Sequence, residues 1–481
     1  MHLKTIGNLI LSLLALSVFF LRTAQADFTQ NPDKIKNFLF IISDDLKASV
    51  LGCYGDKICQ TPNIDRLAKS GMVFQRAYCQ ATWCAPSRQS LMHSRYRGSH
   101  PMNLGLHFLN HGFHTSRVGK IYHMRVPGDI IAGTDGADIT STWTERFNAA
   151  GLEAHTPGDY ACLNLNVFTR ELRNRQSTRM PHRPFVTVIS DSDGELQADC
   201  KAADKAIQLL NLRSNSEQPF LIAVGFVRPH YPMVAPKRFF DQYDWRSIPL
   251  PQRRDDDLND IPKSGRSKSN HQSTGIGSFP ENQKRMWAGY YASVSFMDEQ
   301  VGKVISELER LGLRDSTAII FTSDHGYHLG EHQWWQKSNM HEEVARVPLI
   351  VSAPGFPVGQ TYSIVELVDI FPTLSDLAGL KIPDSVQGKS LVPVLNDSDV
   401  TVRNSALTID KGFAIRSGQF TYIRYNDGAE ELYDMNSDPR QFNNLITSEY
   451  HSQKLIDNRI AMQHKLKSLG LTFRKKQPKK K

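Results

Sequence analysis

The sequence predicts an α/β protein: a large, mostly parallel sheet sandwiched by helices, followed by a small C-terminal antiparallel sheet plus a helix. Three observations carry that prediction. Four short apolar runs rich in β-branched and aromatic residues, at 38–42, 220–226, 318–322 and, more weakly, 117–122, each stop abruptly at polar residues. Near-continuous apolar runs of that length are expected of strands covered on both faces. Between them, apolar residues recur at three and four over 63–69, 200–210 and 286–311, the period of helices that pack by one face. Strands alternating with helices argue for parallel crossovers. After about residue 396 the pattern changes to short runs at 406–409, 413–416, 420–424 and 431–433 separated by Gly- and Asp-containing turns, then a helical pattern over 452–469.

The chain divides accordingly. Residues 1–26 carry Lys4, an uncharged apolar run from Leu9 to Leu21 and then Ala24-Gln25-Ala26, the layout of a cleaved signal peptide. The run falls short of the roughly 20 residues that span a bilayer, so no stable membrane insertion is expected. Residues 27–395 form the main domain, 396–472 a C-terminal subdomain and 473–481 a basic tail. The formal charge of +8 does not indicate a nucleic-acid partner: Arg474, Lys475, Lys476, Lys479, Lys480 and Lys481 lie in the tail and Lys4 and Arg22 in the leader, so the body is neutral. The Lys-rich end reads as a solvated terminus. Residues 245–283, polar and rich in Ser, Asn, Gly and Pro, read as a long loop, substrate-facing or simply mobile. The six cysteines show neither zinc spacing nor scaffold density, and no pairing can be read from them.

In open α/β sheets ligands bind beyond the carboxyl ends of the strands. There the four runs deliver Asp44-Asp45, Lys120 and His123, Arg228-Pro229-His230, and Asp324-His325-Gly326. Three carboxylates converging on one pocket repel one another unless a cation holds them, and hard oxygen donors suit calcium or magnesium. Asp44, Asp45 and Asp324 are therefore the candidate ligands, with His325 a softer fourth. Taken singly, each Asp reads as a turn or cap former. The most specific segment is Cys84-Ala85-Pro86-Ser87-Arg88. Pro86 at the start of a helical pattern puts Cys84 at a helix N-terminus, where free N–H groups favour an anion. Arg88, four residues on, lies on the same face and offers a fork of donors to an oxyanion.

Cys84-x-Pro86-Ser87-Arg88 resembles the signature that directs oxidation of cysteine to formylglycine in sulfatases, a family within the alkaline-phosphatase-like superfamily. Residues 36–45, Gly119-Lys120-x-x-His123, Arg228-Pro229-His230, 291–301, 321–329 with Lys337, and 365–380 are similar to sulfatases as well. Residues 291–301 and 323–332 look most like iduronate-2-sulfatase, a branch in which His commonly follows the metal-binding Asp, as at His325. The resemblance implies a calcium ion on Asp44, Asp45, Asp324, His325 and position 84, and a formylglycine 84 installed by a maturation enzyme. It further implies attack by a gem-diol hydroxyl on sulfur beside Arg88, then release of sulfate from a sulfo-enzyme with His123 as base. Lys120 orients the diol, and His230 and Lys337 protonate the leaving oxygen or bind sulfate.

The implied substrate is a sulfated carbohydrate, met outside the cytoplasm: secreted, periplasmic or, in a eukaryote, lysosomal. Iduronate-2-sulfate in a glycosaminoglycan and algal sulfated polysaccharides both fit. Two other functions remain open at this level, a phosphatase or phosphodiesterase on the same fold and a non-catalytic glycan-binding relative. In the C-terminal part Arg416 is a substrate-carboxylate contact or, more simply, a solvated strand arginine.

Overall fold

A computed structural model describes residues 35–176 and 179–474. The expected signal segment and the tail beyond Arg474 lie outside the described residues. The main sheet is built from β1 (Asn37–Asp44), β2 (Met72–Tyr78), β3 (His114–Gly119), β4 (Glu145–Phe147), β5 (Phe220–Pro229), β6 (Thr317–Ser323), β7 (Arg346–Val347), β8 (Leu349–Ser352) and β9 (Gly359–Glu366). Its order is β7-β2-β8-β6-β1-β5-β3-β4, with β9 beside β2. The central five strands, β6-β1-β5-β3-β4, are parallel, and β8 turns the sheet antiparallel at β6.

Every residue of β1 is buried, and alternate side chains serve opposite faces. Leu39 and Ile41 join Ile222, Val224, Ile319 and Phe321 in one core, covered by the helices Ala198–Ser214 and Pro280–Arg310. Phe38, Phe40 and Ile42 join Leu221, Ala223 and Ile320 in the other, under the helix Ile370–Leu377. Full burial of a large aliphatic or aromatic side chain contributes roughly 1.5–3 kcal/mol. The middle of the sheet is thus its most firmly fixed part, and it is the part whose strand ends carry Asp44, Lys120, His230 and Asp324.

The sequence-derived elements differ from the structure at instructive places. The run at 117–122 is a strand only to Gly119, where the chain turns at φ +66. A Cβ at Gly119 would stand 2.3 Å from the Gly225 carbonyl oxygen, and one at Gly225 would stand 2.1 Å from that of Lys120. Two facing glycines therefore let β3 and β5 close at their ends, and Lys120 swings under the sheet edge. The 245–283 segment is not one loop: Asn270 caps a helical turn at His271–Thr274 with a reciprocal capping box, and the long helix already begins at Pro280. Its remainder is pinned by Asp257 to His332 at 2.8 Å and by Asp260 to the backbone N–H of Asn444 at 2.7 Å.

A second small sheet, of Val167–Thr169, Gly158–Cys162, Val186–Ser190 and Met233–Pro236, has no counterpart in the sequence reading. The C-terminal sheet is an antiparallel meander of Ser405–Ile409, Gly412–Ser417, Phe420–Tyr425 and Glu430–Asp434, followed by the helix Ser452–Ser468. Arg416 on it is not solvated, and it pairs with Glu342. It is buried, and its Nε donates to Glu342 Oε2 at 2.6 Å. Cys53, Cys59, Cys79, Cys84 and Cys200 are all thiols. No helix among the described residues is long and apolar enough to cross a membrane.

Candidate active site

The strand ends bring the predicted residues together. At the end of β1 Asp45 takes a left-handed backbone conformation, φ 64, which Asp tolerates better than most residues. The helix Pro280–Arg310 holds that turn, because Tyr290 Oη donates to the Asp45 carbonyl at 2.6 Å and accepts from the Lys47 N–H at 3.1 Å. Asp44 and Asp45 thereby face Asp324 at the end of β6, whose Oδ1 accepts the Asp45 N–H at 3.2 Å.

Cys84 opens the helix Cys84–His93, whose N-terminus has no side-chain cap. Its Sγ lies 3.1 Å from Lys337 Nζ, 3.3 Å from His325 Nε2 and 4.0 Å from Asp45 Oδ1. His325 Nδ1 is 3.0 Å from the Gly326 carbonyl, which can only accept, so Nδ1 carries the proton and Nε2 presents a lone pair to the cluster. Ser87 Oγ donates to the Asp324 carbonyl at 2.5 Å, fastening the helix to β6.

Arg88 departs from expectation. Its Nε donates to Asp324 Oδ2 at 2.8 Å, Nη1 to the carbonyls of Lys120 and Ile121, and Nη2 to the Ser43 carbonyl at 3.3 Å, with Asp44 Oδ1 also 3.3 Å away. Four of its five N–H groups are thus given to protein acceptors, and Nη2 is also ion-paired with Asp44. It neutralises and spaces the carboxylates from beneath and does not extend a free fork to an oxyanion.

Charges in the cluster are closely matched: Asp44, Asp45 and Asp324 face Arg88, Lys120 and Lys337. Burial pushes the Asp44 carboxyl up, but Lys120, His230 and Arg88 override it and hold Asp44 well below the usual carboxylate range. Burial raises Asp45 too, and there Lys337 and His325 only partly offset it. Asp44 Oδ1 and Asp45 Oδ2 are buried without a hydrogen-bond donor. Buried lone pairs of this kind call for a partner. Asp44, Cys84, Asp324 and His325 each place a ligand atom within 4.8 Å of the others. The donor set fits a hard divalent cation held by Asp44, Asp45, Asp324 and His325, and such an ion would make the site net positive.

In front of the cluster lies a cavity of about 550 Å³, lined by Cys84, His123, His230 and Lys337 together with Trp83, Arg125, Arg183 and Tyr231. The remaining predicted residues, Asp44, Asp45, Arg88, Lys120, Asp324 and His325, form the buried layer behind it. Burial, then Lys120, lowers the His123 pKa to about 4, and its Nδ1 is buried without a partner. His230 is held well below its ordinary value by burial and Lys337. Its Nδ1 donates to the Tyr231 carbonyl at 2.7 Å, leaving Nε2 directed at Asp45 Oδ2, 3.8 Å away. The cluster therefore pairs neutral imidazoles with a fixed ammonium around Cys84. Tyr290, Lys47 and Arg183 escape sequence reasoning. Only Arg183, in Arg183-Pro184-Phe185 ahead of the apolar 186–190 run, carried a readable signal, had that run been taken as a strand.

Residues 36–380 match the family described as "Sulfatase", and residues 330–469 match "N-sulphoglucosamine sulphohydrolase, C-terminal". A protein named "Sulfatase" from Formosa agariphila is 30% identical over 475 residues, 90% of this chain and 87% of that one. "Iduronate 2-sulfatase" from Homo sapiens is 33% identical over 406 residues, 72% of this chain and 70% of its own. Among solved structures, BT4656 in complex with its substrate D-glucosamine-2-N,6-O-disulfate superposes with a TM-score of 0.70 at 22% identity. It covers 91% of this chain and 98% of that one, a likeness of fold.

Proposed function

The chain belongs to the sulfatase family and is a sulfuric ester hydrolase, and we propose that it releases sulfate from sulfated saccharides through a formylglycine made from Cys84. The observation that carries this reading is the state of Cys84 itself. It sits at an uncapped helix N-terminus against Lys337, where an anion would be held. Yet burial and the Asp44 charge push its thiol well above the ordinary range. Formylglycine, installed by a maturation enzyme, supplies an electrophilic carbon that takes up water and returns an oxygen nucleophile. Asp44, Asp45, Asp324 and His325 would hold a calcium ion, which would supply positive charge to offset that of the sulfate.

The chain's own residues divide the remaining work. Burial pulls the Lys337 ammonium down, but Asp45 and its neighbours more than reverse this, so it stays charged beside position 84. Lys337 binds a sulfate oxygen and gives a proton to the departing sugar oxygen. His230, neutral with Nε2 as acceptor, lines the pocket and has no proton on that nitrogen to give, which leaves Lys337 as the proton donor. His123, neutral and with an unpartnered Nδ1, takes a proton as sulfate leaves. Lys120, against Asp44, and Arg88, against Asp324, hold the layer behind in register.

The names of the relatives and the sugar bound in the solved neighbour support a saccharide substrate, and the 1–26 segment supports a secreted, periplasmic or lysosomal setting. A main domain over 27–395 and a subdomain over 396–472 fit the change from the mixed sheet to the meander. The test is sulfate release, by ion chromatography, from iduronate 2-sulfate, glucosamine 6-sulfate and algal polysaccharides, beside phosphate release from matched phosphomonoesters. At least one sulfated saccharide should be turned over in preference to every phosphate ester. Phosphate release alone would overturn the proposal.

A further inference from the structure

One cation in the reaction cavity has no task in the chemistry above. Of the basic side chains lining that cavity, Lys337 is paired with Asp45 at 2.5 Å and Arg125 with Asp129, Nη2 to Oδ1 at 2.8 Å. Arg183 is different. Among the described residues no acidic side chain pairs with its guanidinium, and its Nε–H is buried without an acceptor. The guanidinium carbon stands 5.7 Å from the ring centre of Tyr231, a buried residue next to His230 that lines the same cavity. Stacking on an aromatic face fixes a guanidinium's plane while leaving its edge open.

The backbone under Arg183 is equally fixed. Arg183–Phe185 is a single 3-10 turn leading directly into the strand Val186–Ser190. Phe185, fully buried, meets Trp335 edge-on with ring centres 5.2 Å apart. A half-buried charge held still, lacking a counter-ion and facing a cavity pays for its desolvation only when an anion arrives. The sulfate ester under attack is already met by Lys337 and the helix N-terminus at Cys84.

We propose that Arg183 is a specificity-determining residue that binds a second anionic group of the substrate, a carboxylate or a further sulfate on the saccharide bearing the scissile sulfate. Its fork of donors matches the paired oxygens of either group. The inference rests on the cavity being the sulfate-ester site. It implies that saccharides with two anions are preferred over those with one.

The experiment uses full-length Cys84→Ala protein, too slow to consume the probes during a titration, in calcium-containing buffer. Calorimetry gives its Kd for galactose 6-sulfate, with one anion, glucosamine 2-N,6-O-disulfate, with two sulfates, and a hexuronic acid 2-sulfate, with sulfate and carboxylate. Adding Arg183→Ala should shrink the preference for a two-anion over the one-anion probe by about 10- to 100-fold. Arg183→Lys should recover only part, because an ammonium lacks the fork. Because each ratio is taken within one protein, a general loss of folding does not mimic the effect. The two-anion probe that loses more identifies carboxylate or sulfate as the partner. Unchanged ratios in both variants overturn the assignment. If the cavity reading itself is wrong the pattern differs: neither protein binds any probe, and both proposals fall.

Discussion

Cys84→Ala will lower sulfate release by about 10⁴-fold or more, because loss of a covalent nucleophile removes the reaction path and leaves only binding and electrostatics. Stability should barely move. Cys84 is buried, and the Lys337 and His325 groups beside it keep their bonds to Asp45 and Gly326 when its side chain is shortened. Alanine is at least as good a helix former, and deleting one buried heavy atom costs roughly 1 kcal/mol. Parallel measurement of sulfate release and the thermal midpoint checks both halves. Retained turnover would remove the nucleophile assignment, and a collapse in the midpoint would make Cys84 a packing residue.

Chelating calcium is expected to lower both activity and the thermal midpoint, and restoring calcium should recover both. An ion bound only by the native state stabilises it by RT ln(1 + [L]/Kd), about 4 kcal/mol when free calcium is 1,000 times Kd. The fold should survive chelation, because Lys120 and Lys337 already pair with Asp44 and Asp45, and Arg88 with Asp324. What chelation exposes is the unmet demand at Asp44 Oδ1 and Asp45 Oδ2. Calorimetric scans with and without chelator measure it. An unchanged midpoint and activity would mean that three protein cations suffice and no metal is held.

The sheet and its strand-end chemistry were legible because β1, β5 and β6 are buried on both faces and must be apolar throughout. Their polar ends then stand out, and Asp44, Asp45, His230 and Asp324 lie where that contrast places them, while Cys84 was legible from its own motif at a helix start. β3 was read three residues too far because Gly119 and Gly225 end it by close approach of two backbones, a condition that only the pairing of distant segments reveals. The small sheet through Gly158–Cys162 was missed because its strands are short and one pairs with Met233–Pro236, far along the chain. Arg88 and Arg416 were placed in the right elements, but the acceptors they bond come from sequence-distant segments. Residue type alone cannot say whether an arginine is occupied. The same limit hid Arg183, whose interest lies in the absence of a partner.

The central claim, that Cys84 becomes the reactive group of a sulfate-ester site, is tested most directly by the mass of the tryptic peptide containing Cys84. The protein is expressed with a formylglycine-generating system. Conversion of CH₂SH to CHO predicts a peptide lighter than the thiol form by about 18 Da, in step with the appearance of nucleophilic catalysis. A peptide that keeps the thiol mass while the same preparation releases sulfate would contradict the account.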